Sequence, residues 1–579
     1  MQIYDTKWHQ RAAEITEHKK LIFPSRGIVY DRTGKKIIKN QTYYDLMFKE
    51  KYIEDLDTVA FGNLLGMTPL EVRNRFAEIR ERHSRGKEIY LKVLSYAFIK
   101  EITKEEMTKI APHLYKFKGF YEQPRTMRTY PFQNGANIVG YISGVWKEDL
   151  DKDDFYHRLD YIGRTGIEKS YEKTLRGIKG VKYILQTAGG SKSGQYENGI
   201  YDTAAQAGKH ITLSIDAELQ TYGELLMKNK RGCIVAIEPA TGEILALVSA
   251  PNYDPNLLVG ERNIRKNWNA LVKDTMKPLF PRPLQAEYPP GSIFKILQAL
   301  IGQQEGVLTE NSGFPCNKAL FGCHNHPSPS SLDKAVQFSC NPYFYYAMRS
   351  IVQQGKKKSI FKDAPIGLDI WARYMHSFGL GHRPKIDIAG ARGGNIPDAA
   401  YYDRWYKPGS WAFSTIKSNA IGQGEVLVTP LQMANIAAIL ANRGFYYEPH
   451  LIKSIENDTI HSRYLTKKKT MVDEKFYPIV IEGMRKVVNE AGGTARRARL
   501  KDIVVCGKTG TAENFAMVGK KRVQLTDHSV FISFAPMDNP KIAIAVYVEN
   551  AGFGGTWAAP IASLMTEKYL TDSIADPRK

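Results

Sequence analysis

The sequence has no apolar run long enough to cross a bilayer. Its longest candidates, residues 296–302 and 542–548, fall far short of the roughly 20 residues a spanning helix needs. It does not open on a signal peptide either, because Met1-Gln2-Ile3-Tyr4-Asp5 has no basic start followed by an apolar core. Read alone, this is a water-soluble chain: either it works in the cytoplasm or an export and anchoring segment has been removed. Cysteine is scarce, with 5 in 579 residues, so there is no disulfide scaffold, and the odd count leaves at least one thiol free or bound to something else. There is no internal repeat or low-complexity tract, which excludes solenoids and compositionally disordered arrays. Acidic residues are outnumbered, 60 against 81 Lys plus Arg, and the resulting net charge of +21 points to an anionic partner, either nucleic acid or a membrane face. What remains is globular in composition, 43% hydrophobic and 11% aromatic, and long enough for roughly two to four domains.

The chain changes character along its length. Residues 8–20 look amphipathic, and residues 26–34 are extended around a turn at Asp31-Arg32-Thr33-Gly34. From 55 to about 120 charge is dense, and Leu64, Leu65, Leu70, Val72, Phe76 and Ile79 recur at helical spacing, which predicts a helical insertion. Gly163-Arg164-Thr165-Gly166-Ile167-Glu168 leads into a helix that Arg176-Gly177 closes. Residues 189–208 are rich in Gly, Ser, Gln and Ala and read as a linker, with the domain boundary near 205. Beyond it, residues 233–237 and 244–248 predict two antiparallel strands, and 503–507, 530–535 and 542–548 predict three more. Between 292 and 499 the pattern is mainly helix and loop. Early strands, a helical middle and late strands give an α+β domain: an antiparallel sheet completed by distant segments and covered by helices.

Three short motifs carry chemistry. Tyr288-Pro289-Pro290-Gly291 breaks the backbone, and Ser292-Ile293-Phe294-Lys295 then opens a helix apolar on most of its surface, hence buried. Ser292 and Lys295, three apart, share one face of its first turn. A serine hydroxyl attacks only when a base takes its proton, and a lysine is that base only when burial, a second cation or a helix N-terminus destabilises its ammonium. Alone, S-x-x-K is common by chance. Here it is followed by Ser339-Cys340-Asn341 before an aromatic helix, and by Lys508-Thr509-Gly510-Thr511 in a candidate strand, a triple whose order and spacing are unlikely to arise together. A separate cluster, Cys316, Cys323, His324, His326 and Cys340, offers zinc-ligand types at a spacing that fits no standard finger. A Cys316–Cys323 disulfide with solvated histidines is the competing reading. If zinc binds, Cys316, Cys323, His326 and Cys340 are the ligands, since adjacent Cys323 and His324 cannot easily turn both donors to one ion. Such a zinc would be structural, fixing the loop that leads to Ser339.

The triple resembles the signature of class B penicillin-binding proteins, and the resemblance covers nearly the whole chain. Residues 26–32, Gly163-x-x-Gly166-Ile167-Glu168-x-x-Tyr171 and Leu175-Arg176-Gly177 are similar to the family's non-catalytic pedestal. Ile421-Gly422-Gln423-Gly424, Thr429-Pro430-Leu431-Gln432-Met433-Ala434 and Glu549-Asn550-Ala551-Gly552 resemble its transpeptidase domain. The insertion looks like the head of the elongation-type members, penicillin-binding protein 2, rather than the division-type ones. Gly390-Ala391-Arg392-Gly393 departs from the family, which usually carries an acidic residue there, and no role is assigned to it.

The resemblance implies a pedestal over 1–205 with a head at about 55–120, and a transpeptidase domain over 206–579. It implies a D,D-transpeptidase that cross-links peptidoglycan stem peptides ending in D-Ala-D-Ala and that β-lactams inhibit. Ser292 would be the nucleophile and Lys295 its base. Ser339 and Asn341 would relay protons and hold the peptide. Lys508, Thr509 and Gly510 would form the strand that grips the terminal carboxylate, with the charge of Lys508 helping to keep Lys295 neutral. The amides of Ser292 and Thr511 would be the oxyanion hole. No cofactor is needed for that chemistry. The family also implies an N-terminal membrane anchor missing from this chain, a catalytic domain outside the bacterial inner membrane, and a RodA-like SEDS-family glycan polymerase as partner. Nucleic acid is not expected, because the basic residues are scattered and no recognised binding motif is present. A β-lactam sensor or silent scaffold of the same fold is the alternative, which a lost motif would mark. A β-lactamase-type hydrolase would be shorter and lack the pedestal.

Overall fold

The computed structural model describes residues 17–573 apart from 85–89, 158–159, 187–191, 261–263 and 520. Of the amphipathic stretch, residues 8–16 lie outside the described residues, and 17–20 belong to the strand Glu17–Ile22, which pairs antiparallel with Gly180–Gln186.

The N-terminal part is built on a six-stranded sheet in which Val29–Tyr30, Lys36–Phe48, Tyr96–Ile102 and Phe120–Thr129 are joined by Ile211–Leu213 and Ile452–Ile455. The turn expected at Asp31–Gly34 forms because the Asp31 carboxylate accepts the backbone N–H groups of Thr33 (2.9 Å) and Lys35 (2.8 Å), while Gly34 takes φ +90°. Beneath the sheet, buried Glu168 accepts from Arg26 Nε (2.6 Å) and Arg128 Nε (2.7 Å), and Arg26 Nη2 also reaches Glu172 (2.6 Å). Desolvation opposes the charge on Glu168, but the two guanidiniums hold its pKa below the ordinary value.

The span 55–120, expected as a helical insertion, is helical in part: Thr58–Leu65, Pro69–His83 and Lys104–Ile110 are helices, the second opened by a Thr68/Glu71 capping box with Pro69 in its first turn. Within the same span Tyr96–Ile102 is a strand. Tyr96 and Phe98 are buried two apart, a period-two signal hidden among helical neighbours, and they complete a small core with Phe48, Phe61, Val72 and Phe120. The stretch read as a linker is not free where it is described. Lys192–Gln195 pairs with Gly180–Gln186, and Thr203 and Gln206 bridge to Val181 and Ile178.

Among the described residues the C-terminal part centres on a five-stranded antiparallel sheet. Its order is Ile244–Ala250, Gly232–Ile237, Ile542–Val548, Lys521–Ala535, Cys506–Val518. Every residue of the first three is buried, so both faces are covered, which explains why these strands read as continuous apolar runs. Helices Ala217–Leu226, Pro430–Ala441 and Ala558–Thr571 pack against it. The strand expected at 503–507 begins only at Cys506, opposite Phe534; Val504, ahead of the ladder, is exposed. The middle of the chain is mainly helical as expected, with Lys295–Gln304 buried from Lys295 to Gln303. Among the described residues no helix is long and apolar enough to cross a membrane.

Candidate active site

Ser292 lies in a 3-10 turn, Gly291–Phe294, that runs directly into the buried helix Lys295–Gln304. The turn needs its glycine: Gly291 has φ +60°, its N–H donates to Gly422 O (2.8 Å), and a Cβ there would sit 2.7 Å from Thr511 O. Gly510 is constrained from the other side, where a Cβ would meet Pro290 O at 2.9 Å. The serine turn and the Lys508 strand are thus in backbone contact, Gly291 against Thr511 and Gly510 against Pro290.

Lys295 is fully buried, and its ammonium donates to Ser339 O (2.7 Å), Ser339 Oγ (3.2 Å) and Asn341 Oδ1 (2.5 Å). Lys508, also fully buried, donates to the same Ser339 Oγ (2.7 Å) and to Thr509 O (3.0 Å). One hydroxyl therefore faces two ammonium groups. Burial pulls Lys295 down to about 8, against an upward pull from the nearby cysteines, and holds Lys508 well below an ordinary lysine, helped by the charge of Lys295. Burial is thus the leading cause at both lysines, and the mutual repulsion expected to act on Lys295 registers on Lys508.

Ser339 ends the helix Leu332–Phe338 in the left-handed conformation (φ +53°, ψ 40°), a strained position for a residue with a Cβ. The next helix, Asn341–Val352, starts two residues later with Pro342 in its first turn. The tight reversal turns Ser339 and Asn341 toward Lys295. Among the described residues no hydrogen bond reaches Ser292 Oγ; the structure gathers all three motifs but leaves the serine hydroxyl unengaged, as unliganded sites often do.

Thr494 belongs to the site without carrying any motif. Its hydroxyl shares a 2.6 Å hydrogen bond with that of Thr509. It stands in a turn after the helix Tyr477–Asn489, tied to the Ser339 helix by Gln337 Nε2 donating to Ala491 O (2.8 Å). The available signal was Gly492-Gly493 directly after an amphipathic helix, a break with a polar residue behind it.

Cys316, Cys323, His326 and Cys340 are gathered with all their donor atoms within 4.8 Å of one another. His326 Nε2 is 3.2 Å from Cys323 Sγ and 3.6 Å from Cys316 Sγ, while its Nδ1 donates to Pro327 O (2.7 Å), which fixes the tautomer that leaves Nε2 a free lone pair. All five cysteines are free, so Cys316 and Cys323 are unbridged. Hydrogen bonding from Cys340 pulls the Cys323 thiol well below its ordinary value, and its sulfur also accepts the Asn341 N–H at 3.4 Å. Asn341 Nδ2 donates to Gly322 O (2.6 Å), so the cysteine loop and the Ser339 motif are one unit.

A serine at a helix start, two buried lysines joined through a second serine, and a strand in backbone contact with the serine turn are the parts that serine acyl transfer requires. Residues 232–567 match the penicillin binding protein transpeptidase domain and residues 21–213 the penicillin-binding protein dimerisation domain; the chain belongs to the penicillin-binding protein transpeptidases. It is 30% identical to the peptidoglycan D,D-transpeptidase MrdA of Haemophilus influenzae, over 96% of this chain and 86% of that one. It is 28% identical to the Escherichia coli K12 protein of the same name, over 96% and 88%. Among solved structures, Pseudomonas aeruginosa PBP2 in complex with WCK 5153 is 27% identical with a TM-score of 0.66, covering 97% of this chain and all of that one. Helicobacter pylori PBP2 in complex with MreC shares the fold, with a TM-score of 0.73 at 24% identity over 95% and 98% of the two chains.

Proposed function

We propose that this chain is a peptidoglycan D,D-transpeptidase of the penicillin-binding protein 2 type, acting through an acyl-enzyme on Ser292 and inhibited by β-lactams. The observation that carries the reading is Ser339 Oγ, bonded to both Lys295 and Lys508, which makes the three motifs one proton-handling unit. Neutral Lys295 takes the proton of Ser292 Oγ as that oxygen attacks the carbonyl carbon between the two terminal D-alanines. The amides of Ser292 and Thr511 stabilise the oxyanion. The C–N bond breaks, and the leaving D-alanine amine receives its proton through the Ser339 hydroxyl. An amine from a neighbouring stem peptide attacks the ester, and its lost proton restores Ser292 Oγ–H. Asn341 orients the peptide, while Lys508 and Thr509, in the strand that Gly510 lets pass close to the serine turn, hold the terminal carboxylate.

Residues 1–205 serve as a non-catalytic pedestal with its head at about 55–120, and 206–579 as the catalytic domain. The reading sets the catalytic domain outside the inner membrane, held there by an N-terminal anchor, with the +21 charge facing anionic lipid. A RodA-like glycan polymerase is the membrane partner. The PBP2 neighbour in complex with MreC supports an assembly of this general kind. Cys316, Cys323, His326 and Cys340 hold a structural zinc: a Cys3His set with a low-pKa thiolate and a tautomer fixed by Pro327 O suits that ion, and the chemistry at Ser292 does not require it.

The test is turnover. Purified protein given donor and acceptor stem peptides releases D-alanine and forms cross-linked dimers, and Ser292→Ala abolishes both. D-alanine release with water as the only acceptor would refute the transpeptidase assignment.

A further inference from the structure

The segment 386–395, which includes the unassigned Gly390-Ala391-Arg392-Gly393, ties the pedestal to the residues just ahead of Ser292. At its first end Asp387 is gripped from two sides. Tyr171 of the pedestal donates its hydroxyl to Asp387 Oδ2 (3.0 Å), and the N–H groups of Leu451 (2.8 Å) and Ile452 (2.7 Å) reach the same carboxylate. Two residues on, Ala389 N–H reaches Ser170 Oγ at 3.3 Å. At the other end Gly394 N–H donates to Glu287 Oε1 (3.0 Å), Arg392 pairs with Glu287 Oε2 (3.2 Å), and Arg392 N–H donates to Leu284 O (2.9 Å). Glu287 is followed by Tyr288, whose backbone pairs with Val428 and whose hydroxyl donates to Glu549 (2.7 Å), and then by Pro289-Pro290-Gly291-Ser292.

We propose that this segment is a strap through which the pedestal sets the position of Ser292, with Asp387 and Glu287 as its two clasps and as positioning residues for the acylation step. The inference rests on the serine acyl-transfer reading and adds to it a regulation of the same site by whatever moves the pedestal. The physical basis is a clasp at each end of one short covalent segment: the Asp387 carboxylate receives two backbone N–H groups and the Tyr171 hydroxyl, and Glu287 receives the Gly394 N–H, so direction is held as well as distance. Pro289 and Pro290 fix their own φ, and Gly291 is pinned by its N–H to Gly422 O (2.8 Å), so the span from Glu287 to Ser292 has little slack and a shift at Glu287 is passed to the nucleophile. The clasp at Glu287 is carried mainly by the Gly394 N–H, because the Arg392 side chain is 58% exposed and an ion pair that open to water contributes little. The backbone donor therefore does most of the holding.

A coupling claim of this kind needs a double-mutant cycle. In the full chain, Tyr171→Phe, Glu287→Ala and the double variant are compared for acylation by a fluorescent penicillin. The concentration dependence separates non-covalent affinity from the acylation rate constant, and melting temperature is recorded alongside. The expected result is an acylation rate constant lower by about five- to tenfold in each single variant, since small misplacement of a reacting group is costly. Affinity should be unchanged, because the carboxylate-gripping strand is untouched, and the double variant should be no slower than the slower single one. Glu287→Gln, which keeps an oxygen for Gly394 N–H, should recover to within about twofold of the parent. Tyr171→Phe acylating at the parental rate, or losses that multiply in the double variant, would overturn the strap. So would losses of affinity and rate together that follow melting temperature. A parental protein that forms no adduct on Ser292 would instead overturn the serine reading on which the strap rests, a distinct result.

Discussion

The depressed Lys295 predicts the pH dependence of acylation, with its size. A base must be neutral to accept the Ser292 proton, so the rate follows the unprotonated fraction of Lys295 and rises with pH. With burial pulling Lys295 down to about 8, about one molecule in eleven is competent at pH 7 and about ten in eleven at pH 9. An ordinary lysine at its usual value would be competent in only roughly one molecule in three thousand at pH 7. Acylation at saturating penicillin should therefore rise about tenfold between pH 7 and 9 and level off above. Saturation matters because Lys508, also held well below an ordinary lysine by burial, bears on grip of the ligand carboxylate and not on the saturated rate constant. Stopped-flow fluorescence with a labelled penicillin across pH 6 to 10.5 reads the profile. A flat profile would show that Lys295 is not the base. A rate rising about eightfold between pH 9 and 10, as an ordinary lysine would give, would show that burial does not depress it.

Glu168→Gln should cost about 3–5 kcal/mol in urea unfolding, because it strips two guanidiniums in a buried cluster of their shared carboxylate; a loss under about 1 kcal/mol would contradict that account. Thr494→Val removes the hydroxyl bonded to Thr509 and should weaken penicillin affinity by roughly 0.5–1.5 kcal/mol while leaving the saturated acylation rate within about twofold; unchanged affinity would sink it. Protein purified without added metal should carry about one equivalent of zinc, and a chelator should lower melting temperature and slow acylation together while reductant does neither. Zinc below about a tenth of an equivalent, with Cys316 and Cys323 oxidised, would reject the site.

The sequence and the structure agree most closely where chemistry and local conformation coincide. Ser292, Lys295, Ser339, Asn341 and Lys508 were found as motifs, because each sits at a helix start, a helix break or a strand that its own neighbours specify. The central strands were legible since all their residues are apolar. Chain geometry favours His326 over His324, and the structure gathers His326 with the three cysteines. Thr494 was invisible because its partner is fifteen residues away on another element, and a threonine after two glycines looks like any turn. Tyr96–Ile102 reads as helix because the charged spacing around it dominates the window and only two aromatic positions give the strand away. The strap escaped notice for the opposite reason: Asp387, Arg392 and Gly394 make unremarkable local sequence, and their meaning lies in contacts to Tyr171 and Glu287, more than a hundred residues upstream.

The central claim is that Ser292 is the acylated nucleophile of a transpeptidase. Intact-mass and peptide-mapping mass spectrometry after incubation with a penicillin tests it directly. The account predicts one adduct, on the peptide carrying Ser292, that persists for many minutes because the site is not built to activate water, and that is absent from Ser292→Ala. An adduct on another residue, or no adduct on the folded protein, would contradict it; rapid loss of the Ser292 adduct with release of the opened drug would make this chain a hydrolase.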